Sequence, residues 1–473
     1  MTQAGVDPRV LMGLMFWPRG GSAQVVRYLA PALAAEGWPV RLVSGSQGGP
    51  GEAGNASDFF AGLDLIPVDF TPALDAAGRG EDPLDQPVPL HPSYEDRAGA
   101  PDRVFATLDE RLLGRQTTAW AAAFRAADSP TVSVVHLHHL TPMADALTQM
   151  GRRLPVVTNL HGTEMLMLEA IRRGNAAGWP HAVAWDRRLS GWARGAQRLV
   201  VVSPRDQERA SSLFDLDPQQ IAVVPHGVDT ERFRPGSLSR AQRMAWFRRW
   251  LVEEPLGWAE GEEPGSLRYT EADLAPLADP EPPVLLFVGR FTEPKRLPLL
   301  LRAYARARRQ RGVRAPLVIW GGHPGEWEGE HPASVVARER IDGVFFIGWR
   351  GHDELPVGLA CADALVSPSV GEAFGQVFLE AMATGLPVVA AADGGPLSFV
   401  VGDGERANGW LVPPDAEEPL VDALVAVAED AGERSRRGEN GLRLVRADYS
   451  WRAAAERVAE LYTEVSDAVP PVG

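Results

Sequence analysis

Of the 47 basic side chains in this 473-residue sequence, 46 are arginines and one is a lysine, Lys295. A composition that uses arginine everywhere else points to a position where a compact ammonium is needed and a planar guanidinium does not serve. Its surroundings agree. An apolar strand pattern over 284–289 runs into Arg290, the loop 291–297 follows, and a helix pattern opens near Pro298, a residue suited to a first helical turn. Arg290, Lys295 and Arg296 are thus expected to crowd a helix N-terminus, where the backbone dipole is already positive. An anion resolves that conflict, and a diphosphate suits the spacing. The competing reading is a solvated basic loop beside Glu293.

The second dense constellation spans Ser367 to Val389, where strand, glycine loop, helix and strand patterns succeed one another. Glu372 falls in the loop and Glu380 about two turns into the helix, so the two carboxylates can meet one elongated ligand at separate points. Carboxylates repel phosphate but accept hydrogen bonds from vicinal hydroxyls, which makes sugar and ribose diols their natural partners. The backbone amides of Phe374, Gly375 and Gln376 at the helix start are suited to phosphate. Taken alone, Glu372 would read as a helix cap and Glu380 as a solvated charge.

Two further positions belong with these. His161, in His161-Gly162-Thr163-Glu164, follows the apolar run 156–160 and so sits at a strand's C-terminal end, where open α/β sheets bind ligands. The turn Arg19-Gly20-Gly21-Ser22 follows the first strand and opens the first helix, a second place where backbone can approach phosphate. Trp17 beside it reads equally as an acceptor-stacking ring or a core residue. His136, His138 and His139 look like metal ligands, but strand alternation puts His139 on the opposite face from the other two, and no metal site is expected there.

The elements that must position these residues follow a βαβ rhythm. Apolar runs at 10–16, 40–44, 132–137, 156–160, 199–203 and 221–224 alternate with helical patterns, the first at 22–36, and a second series follows at 284–289, 317–320, 344–347, 364–367 and 388–391. We therefore expect an α/β chain with an N-terminal Rossmann-like domain over 1–235, a linker with an insertion over 236–283, a C-terminal Rossmann-like domain over 284–447 and a final helix over 448–473 packing back on the first domain. The linker carries one amphipathic helix pattern near 239–251, and the stretch 71–101, rich in Pro, Asp and Gly, is expected to be an irregular surface excursion.

Composition narrows the function. A net charge of −15 works against nucleic acid or an anionic membrane as partner, so an anionic ligand has to be met by a few placed cations. The one cysteine, Cys361, rules out an intrachain disulfide and suits a reducing cytoplasm; its apolar neighbours make it a core residue. The N-terminal apolar run is broken by Pro18 and lacks a basic leader, so it reads as a strand and not a signal peptide, and no transmembrane segment is expected.

These motifs together resemble the family 4 glycosyltransferases. The likeness runs from the Gly20-Gly21 turn through His161 to Glu164, Val202-Ser203-Pro204, the run 223–229, the Gly289 to Lys295 loop, the Glu372 to Glu380 segment and the closing Ser450-Trp451 helix. It implies a GT-B fold, two Rossmann-like domains facing each other across a central cleft, and a retaining hexosyltransferase that uses a nucleotide-sugar donor and a hydroxyl acceptor with no metal or other cofactor. By the same resemblance Arg290 and Lys295 hold the donor diphosphate, Glu380 the ribose diol, Glu372 with the Phe374 to Gln376 amides the transferred sugar, His161 that sugar from the other domain, and Trp349 lies along the nucleotide base. Two positions depart from the pattern: Arg296 stands where glycine commonly follows the lysine, and Gly394-Gly395-Pro396 lacks the usual glutamate after it.

The implied reaction places catalytic weight on His161, Arg290, Lys295 and Glu372, with the cations stabilising charge as it grows on the leaving diphosphate. A dehydrogenase is not expected, because no strand runs into G-x-G-x-x-G followed by an acid about twenty residues on. A nucleotide-sugar epimerase of the same architecture and a non-catalytic nucleotide-sugar-binding protein remain as alternatives.

Overall fold

The structure, a computed structural model, describes the chain apart from residues 1–6, 8, 19, 53, 96–100, 324, 373 and 468–473. Arg19 of the first glycine turn and part of the 71–101 stretch therefore lie outside the described residues. The chain divides into two units, one formed by Met1–Gly227 with Trp451–Gly473 and the other by Val228–Ser450.

The first unit is built on a parallel sheet of seven strands: β1 (Val10–Leu14), β2 (Val40–Ser46), β3 (Asp64–Asp69), β4 (Val134–His138), β5 (Val156–Asn159), β6 (Arg198–Val201) and β7 (Ile221–Val223), in the order β3-β2-β1-β4-β5-β6-β7. Strands buried on both faces read as continuous apolar runs, and β1, with all five residues buried, is the clearest case. The sheet's one reversal of strand order lies between β1 and β4, which pair directly from Val10↔Val134 to Leu14↔His138. The helix Gly21–Ala35 leaves β1 through Gly20, whose φ of 115° is a backbone state that glycine adopts freely. Against that helix lies the terminal one, Trp451–Asp467: Trp451 stacks on Tyr28 at 5.7 Å, and Tyr462 meets Trp38 edge-on at 5.2 Å.

The second unit repeats the plan with six parallel strands: β8 (Leu285–Gly289), β9 (Leu317–Gly321), β10 (Val344–Gly348), β11 (Ala364–Ser367), β12 (Val388–Ala391) and β13 (Gly409–Val412), in the order β10-β9-β8-β11-β12-β13. Its reversal lies between β8 and β11. The chain enters and leaves this unit at one place, where the Val228 N–H donates to the Tyr449 carbonyl at 2.7 Å.

Four sequence expectations need correction. The first boundary falls at Gly227 and not at 235. Residues 236–283 belong to the second unit and do not form a free linker: the helix Arg240–Arg248, held by a Ser239/Gln242 capping box, continues into a wider turn over Arg249–Glu253, and Trp250 and Trp258 are fully buried. The stretch after Thr71 is no surface excursion either. It forms the helix Thr71–Gly78 and then delivers Leu90, His91 and Tyr94 into the core, where the Tyr94 hydroxyl donates to the Leu140 carbonyl at 2.6 Å. Trp17 is a core residue, 4.3 Å from the His91 ring. β3 and β13 were not expected. Both are sheet edges; β13 has only four residues, and β3 contains Pro67, which an edge tolerates but which hides a strand from its sequence pattern. Among the described residues no helix is long and apolar enough to cross a membrane.

Candidate functional site

In the second unit the chemistry gathers where β8 and β11 leave the sheet on either side of its reversal, the position where open α/β sheets bind ligands. β8 ends in Gly289 and is followed by exposed Arg290, which has no ion-pair partner among the described residues. A short turn over Glu293–Lys295 leads into the helix Leu297–Arg311. The Lys295 stem lies back over Gly289, where a β-carbon would stand 3.6 Å from its Cδ. Its ammonium pairs with the Glu372 carboxylate on the loop after β11. The Val370 N–H donates to the Pro294 carbonyl at 2.8 Å, so the two loops are joined by main chain as well as by charge.

Arg296 does not join Lys295. It takes a left-handed conformation, φ 52°, at the head of the helix, and its guanidinium reaches Asp415 at 2.6 Å and the Glu293 carbonyl at 2.9 Å. The departure from glycine is thereby explained, since the cost of the left-handed state, about 1–2 kcal/mol, is offset by a charge-assisted anchor that glycine lacks. The expected trio of cations at this helix start is a pair.

Glu372 is braced from a third loop. The Gly371 N–H donates to Asp393 at 2.6 Å, and the Gly395 N–H donates to the Glu372 carbonyl at 2.8 Å. The contact is so close that a β-carbon on Gly395 would lie 2.3 Å from Phe374 Cα, and one on Gly394 2.4 Å from the Glu372 carbonyl oxygen. Gly394-Gly395 thus shapes the Glu372 loop through close approach, a role that its missing glutamate obscured. Buried Phe374 and left-handed Gly375 lead into the helix Gln376–Ala383. Glu380 is buried within that helix and lies 2.8 Å from His352 Nε2. His352 escaped the sequence reading, although it follows Trp349 by three residues. Trp349 itself is 51% exposed and meets His323 edge-on at 5.4 Å.

In the first unit a group of histidines gathers at the equivalent reversal. His136 and His138 stack at 4.8 Å on one face of β4, as alternation requires, while His139 turns away with φ 70°. The ring nitrogen Nδ1 of His136 lies 2.5 Å from the Tyr462 hydroxyl, and that of His138 3.0 Å from His161 Nε2. His139 Nδ1 stands 3.3 Å from fully buried Glu164, whose other oxygen accepts the His161 backbone N–H at 3.0 Å. Burial raises the Glu164 carboxyl, but His139 and these hydrogen bonds outweigh it and hold it below the ordinary range. Burial, reinforced by the neighbouring imidazoles, pushes His138 and His161 well below 6.5; burial alone takes His136 to about 3 and His226 to about 4. His136, His138, His161 and His226 are therefore neutral at pH 7. Gly20 and Gly21 have open space where a β-carbon would stand.

Comparison with known proteins gives this architecture relatives. The family described as Glycosyltransferase Family 4 matches residues 19–232, and that described as Glycosyl transferases group 1 matches 270–444. The chain is 30% identical to the D-inositol 3-phosphate glycosyltransferase of Kineococcus radiotolerans over 70% of this chain and 71% of that protein. It is 27% identical to that of Kribbella flavida over 89% and 93%. Among solved structures, sucrose-phosphate synthase from Thermosynechococcus elongatus superposes with a TM-score of 0.63 at 21% identity, covering 98% of this chain and 100% of that one. Anabaena HepE in complex with UDP does so with a TM-score of 0.62 at 16% identity, covering 96% and 100%. These last two likenesses show the fold, the pair of Rossmann-like units of GT-B proteins.

Proposed function

This chain belongs to the family 4 glycosyltransferases, and we propose that it moves a hexose from a nucleotide-diphosphate sugar to a hydroxyl acceptor, with retention of anomeric configuration and without a metal ion. The observation that supports this most is the joining of Lys295 and Glu372 at the sheet reversal by an ion pair and by the Val370 to Pro294 main-chain bond. An ammonium has three N–H donors, so Lys295 can keep Glu372 and still donate to diphosphate oxygens. Arg290 supplies the second cation. Glu372 and the amides of Phe374, Gly375 and Gln376 receive the sugar hydroxyls, Glu380 the ribose diol, and Trp349 lies along the base. Gly20, Gly21 and His161 are the remaining candidates for donor contacts.

Charge then dictates the reaction. Cleaving the bond between the anomeric carbon and the phosphate oxygen leaves negative charge on the diphosphate, and preorganised cations stabilise the transition state as that charge grows. The acceptor oxygen bonds to the anomeric carbon from the face the phosphate leaves, and its proton passes to the departing phosphate oxygen. No carboxylate base is required. D-inositol 3-phosphate, named in the relatives, is the first acceptor to test.

The experiment is a panel of nucleotide sugars and polyol acceptors assayed with and without chelator, using wild type, Lys295→Ala, Lys295→Arg and Glu372→Gln. We expect chelator-insensitive transfer, an α-to-α or β-to-β product by NMR, and a kcat/KM lowered on the order of 10²–10³-fold by Lys295→Ala. Lys295→Arg should fail to restore it, because a guanidinium fork cannot occupy the ammonium's place over Gly289. Unchanged turnover in Lys295→Ala overturns the assigned role. An isomerised nucleotide sugar formed without acceptor would identify an epimerase instead, and donor binding without turnover a sensor.

A further inference from the structure

His161 is held by more than its own loop. Two neutral imidazoles facing each other at 3.0 Å share one proton between them, so either His138 Nδ1 donates to His161 Nε2 or the reverse. The far end of His138 decides. Its Nε2 is buried and has no hydrogen-bond partner among the described residues. A proton there would be an orphaned buried donor, costing about 1–3 kcal/mol, and such donors are rarer in folded proteins than under-satisfied acceptors. The His138 proton therefore sits on Nδ1 and is donated to His161 Nε2, which leaves the His161 proton on Nδ1. Among the described residues the rings in contact with this pair are His136, His139 and His226, and the nearby carboxylate, Glu164, is engaged by His139 and by the His161 backbone, so none holds a second proton on the pair.

We infer that His138 is a positioning residue that fixes His161 as its Nδ1–H tautomer, so that His161 offers the transferred sugar a hydrogen-bond donor through Nδ1 and not a base. This rests on the proposed role of His161 at the sugar. It also separates the two histidines that a simple reading treats alike: His161 meets substrate, and His138 acts only through it.

The test is a two-bond ¹H–¹⁵N correlation spectrum of histidine-labelled protein at pH 7.5, with the ten histidines resolved using His161→Gln and His138→Asn. We expect the wild-type His161 proton on Nδ1. His138→Asn, whose side-chain N–H replaces the donor, should preserve that state, while His138→Phe, which keeps a ring but no donor, should release His161 to the Nε2–H form and lower kcat roughly tenfold or more with the donor KM little changed. A wild-type spectrum with the His161 proton on Nε2 overturns the inference even if sugar transfer is observed, and so does a His138→Phe spectrum identical to wild type. An Nδ1–H His161 that responds to His138→Phe, in a protein that transfers no sugar, supports the role of His138 and overturns the proposed reaction.

Discussion

The Lys295 ammonium and the Glu372 carboxylate, 77 residues apart in the chain, form an ion pair in which both side chains are less than one-fifth exposed. Removing one partner of such a pair leaves the other charged and poorly solvated, which costs more than removing both. Lys295→Met and Glu372→Gln should each destabilise the ligand-free protein by about 1–3 kcal/mol, and the double variant by less than their sum. Urea unfolding of the four proteins measures this. Additivity within about 0.5 kcal/mol would mean that the pair contributes no coupling.

Gly395 offers a way to move Glu372 without touching it. A methyl group at this position collides with the Phe374 backbone at 2.3 Å, so Gly395→Ala should displace the Glu372 loop and lower kcat/KM by roughly tenfold or more. Gly404→Ala is the control for a general loss of stability: its φ of 80° makes a side chain there cost about 1 kcal/mol, but nothing lies within 4 Å of the added carbon. It should lower the melting temperature and leave turnover intact. Equal turnover in the two variants would count against the bracing role of Gly394-Gly395.

Acid should destabilise the first unit through its buried histidines. His136 and His226, held at about 3 and about 4 when folded, return to the ordinary imidazole value near 6.5 on unfolding. Groups depressed in this way contribute stability that is complete above 6.5 and is lost as pH falls from there toward 4 and 3, because the unfolded chain takes up protons that the folded one refuses. At pH 5 each costs about 2 kcal/mol. Thermal unfolding between pH 7.5 and 5 followed in wild type and His136→Phe checks this, and the variant should show the shallower pH dependence.

Cys361 is 1% exposed, and burial pushes its thiol up to about 12. Its thiolate fraction at pH 8 is then on the order of a thousandfold below that of a free cysteine. Thiol reagents should leave the native enzyme unlabelled and fully active, and label it stoichiometrically once urea has unfolded it.

The two-sheet architecture was legible because every interior strand is an apolar run followed by a turn, and such runs need no knowledge of their partners. β3 was not, because Pro67 breaks its pattern and its place at a sheet edge supplies little burial to compensate. Residues at the sheet reversals were recognisable by type and by their place after a strand, as Lys295, Glu372 and His161 were. Their pairings were not. The bonds from Lys295 to Glu372, Arg296 to Asp415, Glu380 to His352 and His138 to His161 join residues that only the strand order brings together. The 236–283 segment misled for a different reason: its prolines and acids suggest a solvated linker, while the helix pattern that carries Trp250 does not say what it packs against, and Trp258 is a lone aromatic.

The helix Trp451–Asp467 closes the first unit over Tyr28, Trp38 and His136, yet it is made after the whole of Val228–Ser450. At ribosomal speeds, roughly 10–45 seconds separate the two halves of that core. The nascent N-terminal half waits through this interval with an apolar flank exposed, while the later half can finish folding at once. The part that leaves the ribosome first is thus the one that waits longest for the last of its core partners.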